Sequence, residues 1–227
     1  MSKNKQKRAD GFEQIQEATI STEQFIERNQ KVIIRGILLV LIVASIIFSY
    51  HKFYKEPMEI EALSQMATAE RMFAQDSFNL ALNGDGNARG FLEIIDIYGS
   101  TPSGKLARYY AGLCFLYMGD YQNAIQYLNK FSTKNQLFSN LAKSNIGDAY
   151  MELGDFKQAA DYYKNSLANN SNELTAPILL MKAGLAFEKA NDYKNALSMY
   201  ERLEKEFSAS IEAAEVEKYI ARAKAKI

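Results

Sequence analysis

The chain has 227 residues, with 27 basic side chains against 27 acidic ones, a single histidine and a single cysteine. Residues 1–50 carry +2 (seven basic, five acidic) and residues 51–227 carry −2 (twenty basic, twenty-two acidic), so neither part has the basic surplus that nucleic-acid binding demands. His51 alone excludes a histidine-based metal cluster or catalytic triad, and Cys114 alone excludes an internal disulfide.

Residues 1–20 are polar and aperiodic and read as a cytoplasmic tail without a packed core. Ser21 and Gln24 then form a capping-box start for a helix over 21–55, which runs through Phe25 and Ile26 into Val32–Tyr50. From Gly36 to Tyr50 there is no charge, and Arg35 lies one turn from the amino-terminal end. Nineteen helical residues span about 28 Å, close to the hydrocarbon thickness of a bilayer. Arg35 can extend its stem toward the headgroups. A transmembrane anchor over about 32–50 is expected.

Lys3, Lys5, Lys7, Arg8, Arg28 and Lys31 precede the span and Arg35 lies in its first turn, whereas only Lys52 and Lys55 lie close behind it. That bias puts the amino terminus in the cytoplasm and residues 51–227 across the membrane. Tyr50, Phe53 and Tyr54 supply an aromatic belt at the outer interface. No A-x-A cleavage site follows the apolar run, and no cysteine stands there for lipid attachment, so the segment reads as an uncleaved signal anchor.

Pro57 places a joint between anchor and domain near residues 55–57, with Glu56 extended. Met58–Leu82 reads as one helix, with apolar residues at threes and fours, stopping at the turn formers Asn83-Gly84-Asp85-Gly86. A second helix, Ala88–Tyr98, ends in the Gly- and Ser-rich stretch 99–104.

A pattern then recurs. Gly112, Phe115, Gly119, Tyr121 and Ala124 are followed by Gly147, Tyr150, Gly154, Phe156 and Ala159, and then by Gly184, Phe187, Asn191, Tyr193 and Ala196. The period is 35 residues from Ala124 to Ala159 and 37 from Ala159 to Ala196. The first small residue lets two antiparallel helices approach. Gly119, Gly154 and Asn191 suit the left-handed geometry that ends a helix. The following aromatic plugs the turn, and the Ala admits the second helix against the first.

This pattern resembles the tetratricopeptide repeat, whose period is about 34 residues. It departs in having no Trp in the first helix and no closing Pro. The resemblance implies an all-α architecture: a single transmembrane helix, a degenerate helical repeat over 56–104, three repeats over 105–209 and a capping helix over 210–227. Ile211, Ala214, Tyr219, Ile220 and Ala223 would form the apolar face of that last helix.

In such arrays the first helix of each repeat lines a protein-binding groove. By register, the first repeat offers Tyr109, Leu113, Leu116 and Tyr117. The second offers Ser144, Asp148, Met151 and Glu152, and the third Met181, Leu185, Glu188 and Lys189. Chaperone-tail-binding members clamp a carboxylate with paired Lys and Asn, of which only Asn145 has a counterpart. The residues hold no phosphate loop, catalytic set or metal set, so no enzyme activity and no cofactor is expected; Asn169-Asn170-Ser171 is a formal glycosylation sequon.

Tail, span and divergent repeats in this order resemble the YfgM-like ancillary subunit family of the bacterial SecYEG translocon. The resemblance implies an inner-membrane protein with periplasmic repeats, whose partners are translocon subunits, a periplasmic foldase and unfolded clients. The alternative is a periplasmic repeat scaffold coordinating cell division or outer-membrane assembly.

Overall fold

Apolar side chains in an unbroken run favour a helix, which satisfies its own backbone groups, and residues 28–50 form one, α1. The computed structural model describes residues 28–167 and 173–227. The polar tail, the capping box at Ser21 and the sequon at 169–171 lie outside them. The chain divides into two units, Met1–Pro57 and Met58–Ile227.

In the first unit α1 is long and apolar enough to cross a bilayer, and none of its apolar window is buried. The boundary between the two units falls at Pro57–Met58, beside the joint expected near 55–57, although Glu56 is helical there rather than extended. A π turn over His51–Lys55 leads into α2 (Glu56–Ala74), so that helix continues from Arg28 to Ala74. Glu56 is helical at φ −65 and ψ −48, and its N–H reaches back to the His51 carbonyl. The wider π turn accommodates Pro57, which has no N–H to donate and would crowd a carbonyl in a tighter turn.

In the second unit the expected single helix 58–82 is two. Asp76 adopts a left-handed φ of 55, and Met72 accepts from the Ser77 N–H, which closes α2 before α3 (Phe78–Asn83) begins. The break turns Ala81 and Leu82 into a core with Ala62, Met66 and Ala69. The turn at 84–89 is real: Gly84 pairs with Arg89, and the Asp85 carboxylate accepts from the N–H groups of Asn87 and Ala88. α4 therefore starts at Phe91 rather than Ala88 and ends at Tyr98.

The helix of the first repeat starts earlier than its signature suggests. Thr101 caps α5 (Pro102–Tyr117) by accepting from the Gly104 N–H, with Pro102 in the first turn, where its missing N–H costs nothing. The Glu59 carboxylate accepts from the Ser103 N–H and hydroxyl, at 3.0 and 2.7 Å, and so ties α2 to this helix start.

Three antiparallel pairs follow: α5 with α6 (Tyr121–Lys130), α7 (Gln136–Glu152) with α8 (Phe156–Ser166), and α9 (Ala176–Lys189) with α10 (Tyr193–Glu206). Between the helices of each pair stands a left-handed residue, Gly119 (φ 80), Gly154 (φ 76) or Asn191 (φ 61). The next residue, Asp120, Asp155 or Asp192, caps the second helix through its carboxylate. Ala124, Ala159 and Ala196 are fully buried where the two helices meet. Gly112, Gly147 and Gly184 face Leu128, Tyr163 and Tyr200 across the same contact, with no room for a side chain.

The carboxyl-terminal cap is shorter than expected. A 3₁₀ turn, Glu212–Glu215, precedes α11 (Val216–Lys224), and Ile211 is 90% exposed. Val216, Ile220 and Ala223 bury against α10, while Ile211 and Ala214 lie outside the face assigned to them.

Candidate protein-binding groove

The first helices of consecutive repeats are neighbours, so their facing side chains define what the array offers a ligand. Tyr109 and Leu113 do not form a free apolar face. They are 7% and 8% exposed and sit in the core with Ala142 and Ile146 of α7. The reason is that α5 packs on α4, α6 and α7 together. The Tyr109 ring lies 5.3 Å from that of Phe131 and 6.0 Å from that of Phe138, and its hydroxyl accepts from the Asn145 amide at 3.1 Å. Leu116 is half-buried on the same cluster. Tyr117 alone of the four is exposed, at 59%, with its ring 4.9 Å from Phe78.

The expected acidic residues are bonded within the fold. Asp148 accepts from the Tyr163 hydroxyl at 2.6 Å and from the Lys182 ammonium at 2.8 Å. One repeat on, Glu188 accepts from the Tyr200 hydroxyl at 3.0 Å and from the Arg222 guanidinium at 2.8 Å. Each carboxylate thus joins its own repeat's second helix to the next element, with α11 standing in for a further repeat. Burial, and then the adjacent Asp148 charge, push the Tyr163 hydroxyl far above its usual range; burial and the Glu188 hydrogen bond do the same to Tyr200. Met151 and Met181 are half-buried against the carboxyl-terminal core, Leu185 is half-buried, and Glu152 and Lys189 are exposed. Cys114 is buried, and burial pushes its thiol up to about 12.

A cleft of about 180 Å³ opens between α7 and α9. Leu137, Leu141 and Ile178 form its apolar walls, and Asn140, Ser144 and Lys182 supply polar groups. Asn140 and Ser144 are more than nine-tenths buried. The Asn140 carbonyl oxygen accepts from Gln136 at 2.8 Å, which holds the amide in place at the cleft wall. Ser144 is the one groove residue from the sequence register that lines it. The cleft lies about two turns toward the amino-terminal end of α7 from Asp148, Met151 and Glu152. Residues 137, 141, 144 and 145 recur at threes and fours, and so do 178 and 182, and this spacing would have found the cleft.

Residues 106–135 and 144–211 match family models of the tetratricopeptide repeat. Among solved structures, the chain is similar to a Podosopora anserina kinesin light chain of nearly identical TPR-like repeats, with a TM-score of 0.55 and 15% sequence identity over 73% of this chain and 86% of that one. At that identity the likeness speaks to the fold. Comparison with curated protein sequences finds no match. The chain carries tetratricopeptide repeats in an all-α solenoid, an architecture that indicates a protein–protein interaction module and typically serves as a non-catalytic scaffold.

Proposed function

We propose that this is a membrane-anchored interaction module in which α1 crosses the inner membrane, the amino terminus stays in the cytoplasm, and the repeats bind protein partners in the periplasm. The α7–α9 cleft carries this reading. It pairs apolar walls, which reward burial of a partner side chain, with the Asn140 amide and the Ser144 hydroxyl, polar groups suited to hydrogen-bonding a peptide backbone. The partners fitting the tail, span and repeat order are subunits of the Sec translocon, an associated foldase and emerging unfolded clients. Their exposed apolar segments match what the cleft walls accept.

The test is copurification from gently solubilised membranes. Wild-type chain is expected to retain translocon subunits, and Ile178→Asp to lose most of them at unchanged helicity, because a carboxylate in the apolar wall repels a buried side chain. Equal recovery with Ile178→Asp would refute the cleft as the binding surface.

A further inference from the structure

Twice in this fold a half-buried carboxylate, an aromatic ring and a cation come together. Asp148 holds Lys182, whose ammonium stands 5.7 Å over the Tyr163 ring, and Glu188 holds Arg222, whose guanidinium stands 4.9 Å over the Tyr219 ring. A third place has the carboxylate and the rings without the cation. Glu70, near the end of α2, is half-buried, and burial alone pushes its carboxyl above the usual glutamate range. No hydrogen bond or ion pair holds it among the described residues, whereas the half-buried Glu59 accepts from Ser103. Burial, and then the Glu70 charge, push up the Tyr110 hydroxyl, which sets the carboxylate beside α5. Phe73 follows Glu70 by one turn, so the two side chains are neighbours on α2. The Phe73 ring lies 5.3 Å from Tyr110, 5.4 Å from Phe78 and 6.0 Å from Tyr117. Tyr117 packs one side of its ring on Phe78 and leaves most of it open to solvent.

We propose that Glu70, with the rings of Phe73, Tyr110 and Tyr117, is a binding site for an arginine side chain of a protein partner, which supplies from outside the cation that Lys182 and Arg222 supply from within. Charge complementarity selects the cation, since a half-buried carboxylate has lost part of its hydration and regains it only from a donor. The ring faces are negative and favour a cation within about 6 Å of their centres. They select arginine over lysine, because a guanidinium lies flat on a ring while its fork of N–H groups meets a carboxylate, and it gives up its hydration more readily. An acidic segment is repelled. The proposal rests on the reading of the chain as a protein-binding module and is independent of the α7–α9 cleft.

The experiment is isothermal titration of the full chain, in neutral detergent, with the capped peptide acetyl-Ser-Gly-Leu-Arg-Leu-Gly-Ser-amide. Saturable 1:1 binding is expected. Citrulline in place of the arginine keeps the shape and removes the charge, and should weaken binding about tenfold, the scale of a hydrogen bond to a charged group. Glu70→Gln should weaken the arginine peptide about tenfold and leave the citrulline peptide unaffected, at an unchanged circular dichroism spectrum. Tyr117→Ser should weaken the arginine peptide about threefold, and Tyr117→Phe, which keeps the ring, should restore it. Glu204→Gln, an exposed carboxylate on α10, should bind as wild type. Four results would each overturn the proposal: no saturable binding, equal binding of the two peptides, undiminished binding by Glu70→Gln, or an equal loss in Glu204→Gln, which would reduce the effect to general charge attraction. Displacement of the peptide by tetramethylammonium at the same concentration would do so too, by assigning the site to a free organic cation.

Discussion

Glycine at the centre of a helix costs about 1 kcal/mol against alanine, so three such glycines need a reason. The reason is the aromatic or leucine ring of contacts opposite each. A Cβ on Gly147 would stand 2.7 Å from the Tyr163 ring, and one on Gly184 would collide with the Tyr200 ring. Those rings are buried and their hydroxyls are bonded to Asp148 and Glu188, so neither can swing away. Overpacking of this kind costs about 1–3 kcal/mol, which exceeds the gain in helix propensity. Gly184→Ala is therefore expected to lower the urea midpoint of unfolding, and Gly147→Leu to lower it further. An unchanged midpoint in both would show that the paired helices stand farther apart than described.

At the scale of the element, α11 covers the apolar face of α10. Val216, Ile220 and Ala223 cover Leu203 and Tyr200 of α10, and Arg222 completes the Glu188 pair. Full burial of a Val or Ile side chain is worth about 1.5–3 kcal/mol each. A chain ending after residue 211 is thus expected to lose several kcal/mol from the third repeat, read as a lower melting temperature and as binding of an apolar dye to the uncovered α10 face. The same melting curve with and without α11 would mean that the third repeat needs no cap. The π turn at His51–Lys55 belongs to this scale too, because it lets one helix continue through a proline that normally ends one.

For the whole molecule the proposed anchor raises the question of which side of a membrane the repeats would face. Seven basic residues lie before the proposed span or in its first turn, while Lys52 and Lys55 alone lie close behind it. Lys and Arg resist transfer across the membrane, so the tail is expected inside and the repeats outside. Protease added to intact spheroplasts should digest residues 58–227 and spare a fragment containing the tail. A protected repeat domain would reverse the proposed orientation and move the partners to the cytoplasm.

Periodicity alone determined the all-α class, the apolar helix and the three repeats, because these depend on residues near one another in sequence. A left-handed residue at 119, 154 or 191 is required by its own turn, and a small residue at 112, 147 or 184 by its own hairpin. Which helical faces stay open was decided only by the tertiary structure. Tyr109 and Leu113 look free when α5 is read by itself, but they are covered because α7 packs beside it. Asp148 and Glu188 look like groove charges, yet each is consumed by a tyrosine 12–15 residues on and a cation 34 residues on. The cleft at α7–α9 arises where two repeats meet, and the spacing within one repeat carries no record of the distance between them.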